Sequence, residues 1–179
     1  MDDDFAGIGR PKAFETIVYG GLAIGILDFL DASIFFPLYY GIGFLDVWHG
    51  PASGLIGREA SRSGGVSTAL LGILLHFCVA FFIAAAYFVV ARYLVRVKHF
   101  VIVGLLYGIT ANLVMQHIVI PLSAIGPRTT VEPLGSVLNS VIGHAFLVGL
   151  PVASVAAWSA RRNLQKPARE QGLNTGARW

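Results

Sequence analysis

Charge is scarce in this sequence. Asp, Glu, Lys and Arg make up 13% of the 179 residues, about half the roughly 25% of an average soluble domain. With 55% hydrophobic residues and a mean hydropathy of +0.70, there is too little polar surface to clothe a water-soluble fold, which places the chain among integral membrane proteins. Cysteine is nearly missing too. The single Cys78 rules out an internal disulfide and leaves the redox compartment unreadable; set in an apolar run, it reads as a core residue. No Walker, GxGxxG, CxxC or HExxH motif occurs, so the short signatures of nucleotide, redox and metallopeptidase chemistry are lacking. Basic residues are not interleaved with aromatics, and nucleic acid is not an expected partner. A cleavable signal peptide is not expected either, because the first apolar run is too long for an h-region and no small-x-small site follows it.

What the chain does have is four long apolar runs, at roughly 15–40, 66–91, 101–124 and 134–158. Each is long enough to cross a bilayer as a helix, which takes about 20 residues, and backbone polar groups in lipid leave helix as the state that satisfies them. The expected fold is all-α, a polytopic membrane protein with a four-helix transmembrane bundle over 15–160. A cytoplasmic segment (1–14) precedes it, and a basic, disordered cytoplasmic tail (161–179) follows. Pro121 sits near the end of the third run and Pro151 inside the fourth, where a kink is expected. The connection 44–65, "FLDVWHGPASGLIGREASRSGG", is expected to hold a short interfacial helix opened by Pro51, with Trp48 at headgroup level. The plainer alternative is a turn that tethers two spans.

Lys and Arg set the orientation. Arg10, Lys12, Arg92, Arg96, Lys98, Arg161, Arg162, Lys166, Arg169 and Arg178 fall on one side; Arg58, Arg62 and Arg128 fall on the other. Ten against three predicts both termini in the cytoplasm.

Every run also carries small or polar residues at helical spacing: Gly21, Gly25, Asp28, Ala32 with Asp31 alongside; Ala69, Gly72, His76, Ala80, Ala84; Gly104, Gly108, Asn112, Gln116; and Ser136, Ser140, His144. Small residues admit close helix approach in lipid, and polar ones bond across the interface, so these stripes are the expected packing faces. Counting about 1.5 Å per residue from the end opposite the termini puts Asp31 and Asp28 roughly 8 and 12 Å deep, and His76, Gln116, Asn112 and His144 at comparable depths. The deeper half of each run is apolar. Charges within membranes face a bundle interior or a wet cavity and are paired. Asp28, Asp31, His76, Asn112, Gln116, Ser140 and His144 are therefore the candidate ligand- or proton-binding residues, in an outward-open polar pocket closed below. His117 turns away from Gln116 and falls outside the set; His49 and His99 read as ordinary interfacial residues.

The stretches "GLLYGITANLVMQHIVIPLSAIGP" (104–127), "GHAFLVGLP" (143–151), "ASGLIG" (52–57) and "LLGILLHF" (70–77) resemble the YagU-like family of small bacterial inner-membrane proteins, over roughly 18–157. The resemblance implies a four-helix protein of the bacterial inner membrane. It supplies no activity, cofactor or catalytic residue. His76 and His144 fall where such relatives look alike, whereas Asn112 and Gln116 are less typical.

Several functions fit these residues. One is a non-enzymatic protein that binds protons or a small ligand from the outer side, in a sensing, accessory or stress-protection role. A second is a haem-binding redox protein with His76 and His144 as axial ligands, which an absorption spectrum separates from the first by its Soret band. A third is a structural subunit of a larger membrane complex or a homo-oligomer. The polar residues also admit a simpler role as interhelical hydrogen bonds alone. No cofactor and no metal is favoured, since Asp and His occur without metal-ligand spacing or an oriented nucleophile. Alternating-access transport lacks an inverted repeat or a broken helix pair.

Overall fold

The computed structural model describes residues 10–94, 99–127 and 129–175; of residues 93, 94 and 164–175 only the backbone is described. Arg96, Lys98, Arg128 and Arg178 of the basic count, together with residues 1–9, lie outside the described residues.

The described chain is all-helical, with no strand among the described residues. Among the described residues, four helices are long and apolar enough to cross a membrane. The first, α1, spans Glu15–Tyr40 and begins with a π-helical turn, Glu15–Tyr19. Its end is set by Gly41, whose φ of 66° is the left-handed cap conformation; the Gly41 N–H donates to the Pro37 carbonyl at 2.9 Å. Two short helices follow, α2 (Phe44–Ile56) and α3 (Arg58–Ser63). The second long helix is α4, Gly65–Leu94. The third, α5, spans Phe100–Leu122 and passes through a π segment at Met115–Val119. The last, α6, runs from Leu134–Gly143 through a π segment at His144–Gly149 into Leu150–Thr175, so the start of the basic tail has helical backbone.

The two later π segments have a local cause. Each ends two residues before a proline, Pro121 and Pro151. Proline lacks the N–H of the i→i−4 bond, and its ring crowds the carbonyl four residues back. A widened turn relieves that crowding, and such turns recur at functional sites.

The long helices alternate in direction. Lys12 N–H donates to Ser159 Oγ at 2.9 Å, which puts the residues before α1 beside the far part of α6. At the other end the Ala124 N–H donates to the Gly54 carbonyl at 2.9 Å, joining α2 to the end of α5. α6 is the hub. Of its most apolar window 44% is buried, against 17% for each of the other three spans, so α1, α4 and α5 turn most of their surface outward. The core joins Ile24 of α1, Ala80, Ala84 and Tyr87 of α4, and Val148, Val152 and Ala156 of α6. Between apolar helices in lipid such contacts hold by close packing, since lipid is as apolar as leucine.

α2 does more than expected of an interfacial turn. It crosses α4 at Gly72, where a Cβ would lie 1.7 Å from the Trp48 carbonyl oxygen. That approach carries the Trp48 ring inward, 1% exposed, stacked on Phe29 at 4.4 Å and edge-on to His76 at 5.1 Å. Trp48 is thus packed against protein on every side. His49 is also buried and acts as a joint. Its Nε2 donates to the Gly65 carbonyl at 2.9 Å, and its own carbonyl accepts from the Ser53 and Ser61 hydroxyls at 2.7 Å each. Cys78, expected in the core, is exposed; two residues beyond His76, it lies about 200° round the helix from the packed face.

Candidate functional site

The stripes read from the sequence are where the helices meet. On α1, a Cβ on Gly21 or Gly25 would fall 2.4 and 2.5 Å from the rings of Phe81 and Phe77, so these glycines let α4 lie close. One consequence is that His76 reaches the α1 backbone: its Nε2 donates to the Gly25 carbonyl at 3.0 Å. Its Nδ1 then stands 3.8 Å from Oδ2 of Asp28, with the two side chains 12% and 24% exposed. A carbonyl only accepts, so the ring proton at Nε2 is committed to Gly25. That leaves Nδ1 and Oδ2, two acceptors, facing each other beyond hydrogen-bond distance.

On α5 the spacing of four gives a second contact line. A Cβ on Gly108 would lie 2.1 Å from the His144 carbonyl oxygen, and one on Gly104 would lie 2.9 Å from that of Gly149. The same line continues in polar atoms. Asn112, 3% exposed, donates from Nδ2 to Ser140 Oγ; Gln116 Nε2 donates to the same oxygen at 3.1 Å. His144 Nδ1 donates to the Ser140 carbonyl at 2.9 Å. That bond fixes its proton on Nδ1, so the 3.4 Å approach of Asn112 Nδ2 to the same nitrogen brings two donors together and is a contact only. Gln116 Oε1 is buried and takes no hydrogen bond. His117 is exposed and apart, as expected.

Asp31 joins the two groups. Its Oδ2 accepts from Asn139 Nδ2 at 2.9 Å, and Asp28 and His144 are close enough to act on its charge. All seven candidate residues therefore lie along α1, α4, α5 and α6 toward the α2 end: Asp28 with His76, Asp31 with Asn139, and Asn112, Gln116, Ser140 and His144 around one hydroxyl. Asn139 was missing from the sequence reading. It is off the Ser136–Ser140–His144 stripe by one position, about 100°, and its signal was only an amide at the depth of Asp31.

The deeper half of the molecule is less apolar than the sequence implies. Tyr107 Oη donates to the Ile83 carbonyl at 2.7 Å and packs edge-on to buried Tyr87 at 4.9 Å. Thr16 and Ser159 are fully buried near the termini end.

No group of three or more His, Cys, Asp or Glu residues is placed to hold a metal ion among the described residues. As a haem ligand His76 does not fit this arrangement, because both ring nitrogens face protein atoms, Gly25 O and Asp28 Oδ2. No family model, no curated protein and no solved structure matches the chain.

Proposed function

We propose that this is a non-enzymatic, multi-pass protein of the bacterial inner membrane whose polar cluster is an outward-facing pocket for protons or a small polar ligand. Its role is sensing or stress protection. The observation that carries the reading is the Asp28–His76 pair, two half-buried polar groups on different helices that face each other at 3.8 Å. The unmet acceptor Gln116 Oε1 beside Ser140 adds a place for a hydroxyl or amine donor. The likeness of the motif residues to the YagU-like family is in keeping with this setting. In it, α2 lies along the outer interface, the termini are cytoplasmic, and lipid or further copies of the chain cover the outward sides of α1, α4 and α5.

The test of the pocket is Asp28→Asn. An asparagine amide keeps the shape and donates to Nδ1 with no added proton, so the variant is expected to fold with little loss. Its thermal stability in detergent is expected to match or exceed that of the wild type, because a donor now faces Nδ1 where two acceptors did. A clear loss of stability would mean that the Asp28 charge is held by other partners and would end the pocket reading. Orientation is tested separately by reporter fusions after residues 62 and 165. A reporter active only outside the membrane is expected to work at 62 and to be silent at 165; activity at 165 would reverse the assignment.

A further inference from the structure

The two ends of the described chain bring four basic residues to one place. The Lys12 N–H bonds Ser159 Oγ at 2.9 Å, and Asn163 Nδ2 donates to the Arg10 carbonyl at 3.3 Å. These two bonds set Arg10 and Lys12 beside the turn of α6 that carries Arg161 and Arg162. Neither arginine points into water alone: the Arg162 guanidinium lies 4.6 Å over the Trp158 ring, and that of Arg161 lies 5.8 Å over Phe100. Trp158 in turn meets Tyr19 of α1 edge-on at 6.1 Å. None of the four cations makes an ion pair with a carboxylate among the described residues. Glu15 is the nearest acid in sequence, and its Oε2 is buried without a partner.

Basic residues gathered at one end of the helices repel one another, and an anion among them lowers that repulsion. The rings show which kind of anion fits. Tyr19 and Trp158 are exposed on the flanks of two apolar spans, just below the arginines, where acyl chains would cover them while a phosphate meets the guanidinium groups.

We propose that Arg10, Lys12, Arg161 and Arg162, with Tyr19 and Trp158, form a binding site for one anionic phospholipid at the termini end of α1 and α6, bordered by Phe100 of α5. The site is separate from the polar cluster, and its test does not depend on that reading. Each cation near the headgroup strengthens anionic binding roughly fivefold.

Full-length protein in neutral detergent is titrated with phosphatidylglycerol, with phosphatidylcholine and with inorganic phosphate, and bound lipid is read by native mass spectrometry. Phosphatidylglycerol is expected to bind at least about tenfold more tightly than phosphatidylcholine, and its binding to weaken as salt is raised. Arg161→Gln with Arg162→Gln is expected to lose about 25-fold toward phosphatidylglycerol and little toward phosphatidylcholine. Arg58→Gln with Arg62→Gln, at the other end, is expected to lose nothing. Equal affinity for the two lipids, or salt-independent binding by the wild type, would overturn the site without recourse to any variant. Undiminished binding by the Arg161/Arg162 variant would overturn it as well, and displacement of the lipid by equimolar inorganic phosphate would show a free-anion site instead.

Discussion

Gly108→Leu is expected to prevent stable folding, while Leu105→Ala three residues away is expected to be tolerated. A Cβ at position 108 would stand 2.1 Å from the His144 carbonyl oxygen and 2.8 Å from Ala145 Cα. Both are backbone atoms and cannot rotate aside. Gly149 faces the same crossing from the other helix, where a Cβ would come 2.0 Å from the Gly104 carbonyl. The π segment at His144–Gly149 is therefore clamped on both sides by positions without a side chain. Leucine at 108 must push α5 and α6 apart, which also separates Asn112 and Gln116 from Ser140. The expected loss is about 3–5 kcal/mol, above ordinary overpacking because backbone has to move. Leu105 is half-buried, and alanine there adds no bulk to the crossing, so trimming it is expected to cost about 1 kcal/mol. Thermal unfolding in detergent measures both. Equal tolerance would mean that the close crossing is not what holds α5 to α6.

Helix limits were largely legible because the physics behind them is local. Runs read at 15–40, 66–91, 101–124 and 134–158 correspond to spans at Glu15–Tyr40, Gly65–Arg92, Phe100–Leu122 and Leu134–Asn163. Length and apolarity decide such limits, and no distant contact is needed. The small-residue stripes were legible for a related reason, since a helix carries its close contacts at spacings of three and four. What escaped was whatever depended on a second element arriving from elsewhere. The burial of Trp48 depends on Gly72, which admits α2 to the side of α4. His49 looks like a surface residue until Ser61 and Gly65, 12 and 16 residues on, fold back onto it. Cys78 read as core because its run is apolar, yet hydrophobicity in a membrane span does not distinguish a core face from a lipid face. The candidate site divides in the same way. Asp28 and His76 were legible as polar residues at matching depth. The Nε2 bond to the Gly25 carbonyl, which leaves Nδ1 facing Asp28, required the glycine face of α1 to be in contact with α4.

Asn139 is the residue on which the second large effect rests. Its amide is the donor held at 2.9 Å from the Asp31 carboxylate, and the two lie on different helices 108 residues apart in sequence. Asn139→Leu is expected to lower stability by about 2–4 kcal/mol, because a half-buried carboxylate loses its donor while a second carboxylate, Asp28, stays within reach. Removing the charge along with its partner is a different matter. The double variant Asp31→Leu with Asn139→Leu leaves no orphaned group, and an apolar pair at an interface between apolar helices packs as the rest of α1 and α6 does. It is therefore expected to recover more than half of the loss. The four proteins of this cycle, unfolded thermally in one detergent, give the coupling between the two side chains directly. A positive coupling above about 1 kcal/mol is the expected result. If the single and double variants lose stability additively, the Asn139 amide does not hold Asp31, and the carboxylate must draw its support from His144 alone.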